Sequence, residues 1–140
     1  MTRIKIELPE IFNFSTEIPV RITDLNYGNH LGNDALLSLL HEARVRFLAN
    51  YGWTEKNVAG VRIILADCAL RYRREVFYGE VLVIDIAVRD FSRVSCDLIY
   101  RVTEKSSGRA VADAKTGIVF YDYVRGKPVS VPGAFREQFV

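Results

Sequence analysis

The spacing of apolar and polar residues changes period along this chain and divides it into one long helix and a set of strands. From Ala35 onward, Leu36, Leu40, Ala43, Phe47 and Tyr51 recur at three- and four-residue steps, the spacing that stacks side chains on one helical face. Leu37, Leu39, Val45 and Leu48 widen that surface, so the helix is expected to be enclosed on most sides. Asn33 is placed to cap its start, Asp34 complements the positive end of the helix dipole, and Gly52 after Tyr51 supplies a stop.

The remaining patterned stretches read as strands. Phe12 to Thr23 is rich in β-branched and aromatic residues, with Pro19 suited to an edge or a bulge. Val61 to Val76 alternates in its second half, Val81 to Arg89 is almost continuously apolar, and Ser95 to Thr103 alternates clearly. Ala110 to Tyr123 follows, with Gly117 marking a bulge or a close backbone approach, and Gly133 to Phe139 allows a short terminal helical turn. The turns FYGE and EKSSGR are short, which dictates antiparallel neighbours. One strand, one helix and four further strands give an α+β class in which a curved antiparallel sheet wraps the helix. Such a sheet has two exposed edges, and pairing them across a two-fold axis predicts a dimer, or a higher assembly such as a tetramer.

Length and composition narrow the function. The 140 residues form one domain, residues 1–140, and a 49% hydrophobic fraction is enough for its core. A net charge of +2 with interspersed signs provides no polybasic footprint, so neither nucleic acid nor a membrane surface is an expected partner, while small anions stay open. Cys68 and Cys96 lie in strand-like apolar segments and read as buried thiols of a reducing compartment. The start MTRIKIELPE lacks a continuous apolar region, and no run reaches the roughly 18 residues of a membrane span. A soluble, cytoplasmic protein is expected.

The loop from Asp24 to Asn33 concentrates the candidate chemistry. It packs one carboxylate, three asparagines, two glycines, a tyrosine and a histidine before the helix. A turn-rich connector explains that composition. So does a carboxylate facing a helix N-terminus, where Asp24 acts as general base or nucleophile and the amides near Gly32, Asn33 and Asp34 hold a developing oxyanion. His30 stands in the same loop, either as a participant or as a neutral ring bonded to backbone.

The order of strand, D-loop-H-x-x-N, enclosed helix with HEAR-x-x-F-L, then R-Y-R-R-E-V-x-Y-G-E and closing strands resembles the hotdog-fold acyl-CoA thioesterases of the 4-hydroxybenzoyl-CoA thioesterase family. The likeness runs from about Phe12 to Tyr121. It implies hydrolysis of an acyl-CoA to a free acid and coenzyme A, with coenzyme A as part of the substrate and neither a separate cofactor nor a metal. It also implies that the Asp24–Asn33 loop lies near a subunit boundary. The family form D-x-x-G-H-V-N-N puts its acid four positions before the histidine, whereas Asp24 precedes His30 by six. Glu42 resembles the helix glutamate that one branch of these enzymes uses, although Arg46 four residues on offers it an ordinary ion pair. Catalytic candidates are therefore Asp24, His30, Asn33 and Glu42. Arg62, Arg71, Arg73 and Arg74 are candidates for the phosphates of coenzyme A, against a reading as solvated edge-strand charges. A non-hydrolytic hotdog protein that binds acyl-CoA or acyl carrier protein, a dehydratase-like one, or a ligand-free dimerisation module are the competing classes.

Overall fold

A computed structural model describes residues 1–140. The change of period marks the elements as expected, with shifted ends. Strand β1 covers Phe14–Pro19, and Ile22–Asp24 beyond it forms a single 3-10 turn where the pattern suggested strand. Helix α1 spans Asn33–Asn50. The strands β2 (Arg62–Tyr72), β3 (Val81–Arg89), β4 (Ser95–Glu104) and β5 (Ala110–Asp122) follow, then a two-residue strand β6 (Lys127–Pro128) and helix α2 (Gly133–Phe139). β2 stops four residues short of Val76, which frees Arg73 to Val76 to line a loop. No helix is long and apolar enough to cross a membrane.

The strands form one antiparallel sheet in the order β1-β3-β4-β5-β2, with β6 on β5. The curved sheet holds α1 through Leu36, Leu39, Leu40, Ala43, Phe47 and Leu48, all buried. Fully burying one such side chain stabilises the fold by about 1.5–3 kcal/mol. Enclosure is less complete than the apolar count implied: Leu37 and Val45 are 45% and 44% exposed, because the sheet covers one face of the helix and leaves the other open. Gly32, not Asn33, is the N-cap, and Asn33 is the first helical residue. Gly52 lies just past the C-cap with φ +79°, the left-handed geometry that favours glycine at a helix end.

Two polar features fix α1 against the sheet. Buried Arg44 donates to Glu55 Oε2 at 3.1 Å and to the Tyr100 hydroxyl at 3.2 Å, and that hydroxyl lies 2.8 Å from Thr116 Oγ1. Burial works against the charge on Glu55, but hydrogen bonds from His41 and Arg44 outweigh it and hold the carboxyl below its ordinary value. On the other flank Arg46 donates to Thr16 Oγ1 and to the Glu17 carbonyl, and Tyr51 Oη donates to the Asn13 carbonyl. The β1 edge is thus partly covered by α1, whereas β2 has only β5 beside it.

Along β2 the pairing with β5 shifts between Leu65 and Asp67. The bulge belongs to β2, and Gly117 opposite it is the close approach: its N–H donates to Asp67 Oδ1 at 3.0 Å, and a Cβ there would collide with that carboxylate. Cys96 is buried, but Cys68 is exposed. Its apolar neighbours suggested burial, yet the free edge of the sheet leaves this stretch of β2 uncovered.

Candidate active site

The Asp24–Asn33 loop folds back on itself as a narrow ladder. The Gly32 N–H donates to the Asp24 carbonyl at 3.0 Å, Leu25 bridges Leu31, and the Asn26 N–H donates to the His30 carbonyl at 2.9 Å. At its tip the Asn26 side-chain oxygen accepts the Gly28 N–H at 2.9 Å, and Asn29 takes φ +65°, an asparagine-stabilised turn. The Leu31 N–H then donates to the Val76 carbonyl at 2.7 Å. That bond joins the loop to the segment after β2 and brings His30 beside Glu75, with Nε2 to Oε1 at 3.7 Å.

These elements enclose a groove of about 410 Å³, lined by Asn26, His30, Leu31, Asn33, Tyr72, Arg73, Arg74 and Glu75. At its floor is the start of α1. Most of the first amides are already used: the Asp34 N–H donates to Asn33 Oδ1 at 3.1 Å, the Ala35 N–H to Asp34 Oδ1 at 2.9 Å, and the Gly32 N–H to Asp24. The Asn33 N–H has no acceptor within the chain, so the oxyanion site expected across Gly32, Asn33 and Asp34 narrows to this one amide. The Tyr72 hydroxyl donates to the Asn33 carbonyl at 2.9 Å, tying β2 to the helix start. Burial raises its pKa.

Of the four sequence-derived catalytic candidates, the structure brings His30 and Asn33 together in this groove and leaves Asp24 and Glu42 outside its lining. Asp24 is 5% exposed, and its carboxylate accepts the Arg21 backbone N–H at 2.8 Å and the Arg21 guanidinium at 3.2 and 3.3 Å. The residue four positions before His30, where the family form carries its acid, is Asn26. Glu42 pairs with Arg46 at 2.8 Å on the flank of α1 that faces β1. Tyr72, Glu75 and Asn26 were not singled out by the spacing of residues. The motif EVFYGE carried only a turn signal, and no local pattern encodes the Leu31–Val76 bond that places Glu75.

A second groove, about 430 Å³, adjoins the first and shares Tyr72, Arg73 and Arg74 with it. Arg3, Arg71 and Arg109 complete its basic lining. Arg73 is committed to buried Asp113 at 2.7 Å, and Arg109 to Glu80 and Glu104 at 2.7 and 3.2 Å. Glu104 stays anionic because the Ser106 backbone N–H, with the Ser107 and Ser106 hydroxyls, holds its carboxyl at about 2. Arg3, Arg71 and Arg74 have no acidic partner within 4.0 Å. Arg62 does not join them. It lies at the far end of β2, about 30 Å away at the usual rise per residue, with its guanidinium 5.0 Å from the Tyr123 ring centre.

A curved antiparallel sheet around one long helix, with a groove at that helix's N-terminus, is the hotdog architecture of thioesterases. The chain belongs to the thioesterase-like superfamily, whose family model matches residues 20–139, and thioester hydrolysis is its chemistry. It is 29% identical over 127 residues to the long-chain acyl-CoA thioesterase FadM of Escherichia coli, a match covering 88% of this chain and 94% of that one. Its fold is similar to that of a 1,4-dihydroxy-2-naphthoyl-CoA thioesterase from Synechocystis, with TM-score 0.82, 18% identity and 89% and 93% of the two chains covered. It is also similar to a thioesterase complexed with coenzyme A and Zn from Thermus thermophilus, with TM-score 0.78, 24% identity and coverage of 91% and 97%.

Proposed function

We propose that this chain hydrolyses acyl-CoA thioesters to a free acid and coenzyme A in the two-part groove. The observation that carries this reading is continuity: a reaction pocket with a free helix-end amide opens directly into a patch of unpaired arginines. The Escherichia coli relative is named for long-chain acyl-CoA and the Synechocystis protein for a naphthoyl-CoA, so what their substrates share is the coenzyme A thioester and not the acyl group. In the groove, the thioester carbonyl accepts a hydrogen bond from the Asn33 N–H, where the helix dipole favours developing negative charge. His30 lies beside the reacting carbon. Asp24 serves by holding the loop's first turn closed around Arg21. Arg71 and Arg74 take the phosphates of coenzyme A, which is substrate and not a cofactor. A thiol-release assay across acyl-CoAs of varied length and ring content should show turnover on part of the panel. No thiol release from any of them would sink the reading.

The same reading includes assembly and location. The uncovered β2 edge, exposed Leu65 on it, and Leu37 and Val45 on the open face of α1 are what a second copy would bury. We expect a homodimer or a homotetramer with the Asp24–Asn33 loop near the boundary. Light scattering at micromolar concentration should give at least twice the 15.9 kDa chain mass, and a monomer mass would contradict it. The free thiols of Cys68 and Cys96 suit the reducing cytoplasm.

A further inference from the structure

We infer that Glu75 is the proton acceptor of the hydrolytic step, with His30 as the group that orients it; the inference rests on the acyl-CoA hydrolase reading above. Three observations converge on it. Glu75 is the single carboxylate lining the groove that contains the free Asn33 amide. The other acids near this end of the chain are engaged elsewhere: Asp24 with Arg21, Asp34 with the Ala35 N–H, and Glu42 with Arg46. Asn26, which also lines the groove, is an amide whose oxygen already accepts the Gly28 N–H, and an amide cannot take a proton from water at neutral pH.

The surroundings of Glu75 agree with that role. His30 Nδ1 lies 3.4 Å from the Leu31 carbonyl, which leaves Nε2 turned toward Glu75 Oε1 at 3.7 Å. Gly28 keeps that side of the ring open, since a Cβ at this position would come within 3.2 Å of His30 Nε2. Glu75 is 65% exposed, and an ion pair that open contributes little to stability. Its placement therefore calls for another account, and a water-accessible carboxylate opposite an oxyanion amide supplies one.

In the step, a groove water gives one proton to the Glu75 carboxylate as its oxygen bonds to the thioester carbonyl carbon. The carbonyl electron pair moves onto the oxygen held by the Asn33 N–H. Collapse of that tetrahedral species breaks the C–S bond, and the departing thiolate takes the proton from Glu75. One water is consumed, one acid and one thiol are formed, and no other reactant is needed.

The test uses the full chain and thiol release from an acyl-CoA that the wild type turns over. Glu75→Gln should lower kcat by about 10² to 10⁴ with KM little changed, the range for loss of a general base. Glu75→Ala should regain part of its rate on addition of sodium formate, a response that a purely structural carboxylate does not produce. Unchanged melting temperatures for both variants would show that the loss is chemical. Glu75→Gln with near wild-type turnover overturns the assignment, as does a failure of formate to restore Glu75→Ala. Loss of turnover confined to Asp24→Asn would move the base to Asp24. A wild-type chain that releases thiol from no acyl-CoA overturns the hydrolase reading itself, and the assignment with it.

Discussion

Phe47→Ala is expected to destabilise the folded chain by about 3–5 kcal/mol, the range for removing a large aromatic from a closed core. Phe47 is fully buried and belongs to an aromatic cluster that joins β1, α1 and α2. Its ring centre lies 5.8 Å from Phe14, 5.4 Å from Tyr51 and 5.5 Å from Phe139, so its loss uncouples β1, the exit of α1 and the terminal helix α2 at once. Edge-to-face ring pairs add about 0.5–1.5 kcal/mol each beyond the area they bury. Since whole domains are stable by only about 5–15 kcal/mol, the variant should unfold at far lower urea concentration or fail to accumulate. Val45→Ala, on the open face of the same helix, removes a side chain that the single chain leaves 44% exposed, so it should cost far less than Phe47→Ala, and any cost that depends on protein concentration would come from the second copy expected to cover that face. Equal effects at the two positions would contradict the one-sided packing of α1.

Reversing charge at Arg3, Arg71 and Arg74 together should raise KM for an acyl-CoA by about 10²-fold and leave kcat nearly intact. Hydrogen bonds to charged groups contribute about 1.5–3 kcal/mol where water is excluded and less in an open groove, while each 1.4 kcal/mol is about tenfold in affinity. Three weakened contacts plus repulsion by the new carboxylates reach that total. Arg3 and Arg71 line only the half of the groove away from the Asn33 amide and Arg74 stands where the two halves meet, so the effect should fall mainly on binding and not on the bond-breaking step. Hydrolysis of the same acyl group carried on N-acetylcysteamine, which has no phosphates, should be unaffected. Added salt should raise the wild-type KM for acyl-CoA, since solvent-exposed charge pairs are screened. Equal losses on the two thioesters, or no loss on acyl-CoA, would remove the arginine groove from the carrier site. Arg62→Glu, at the far end of β2, should leave both unchanged.

The one-dimensional pattern determined a good deal of this protein. A three-to-four residue period from Leu36 to Phe47 is enough to make a helix with one buried face, because side-chain direction repeats with the turn of the helix. Alternation and short turns likewise specified an antiparallel sheet, since pairing through a short turn permits no other direction. The order of those elements with the loop before the helix also carried the family, and the position of His30 and Asn33 at the helix entrance brings them into the lining of the candidate groove. What the pattern left open was decided by bonds between residues distant in sequence. The Leu31 N–H to the Val76 carbonyl sets Glu75 opposite His30, and Asp113, forty residues on, neutralises Arg73 while leaving Arg71 free. Asp24 stands outside the lining for the opposite reason: bonds only three residues long, to Arg21, engage its carboxylate. Burial at the ends of the pattern, as at Cys68, Leu37 and Val45, depends on which edge and face the sheet leaves uncovered, and hydrophobicity alone carries no information about what covers a residue.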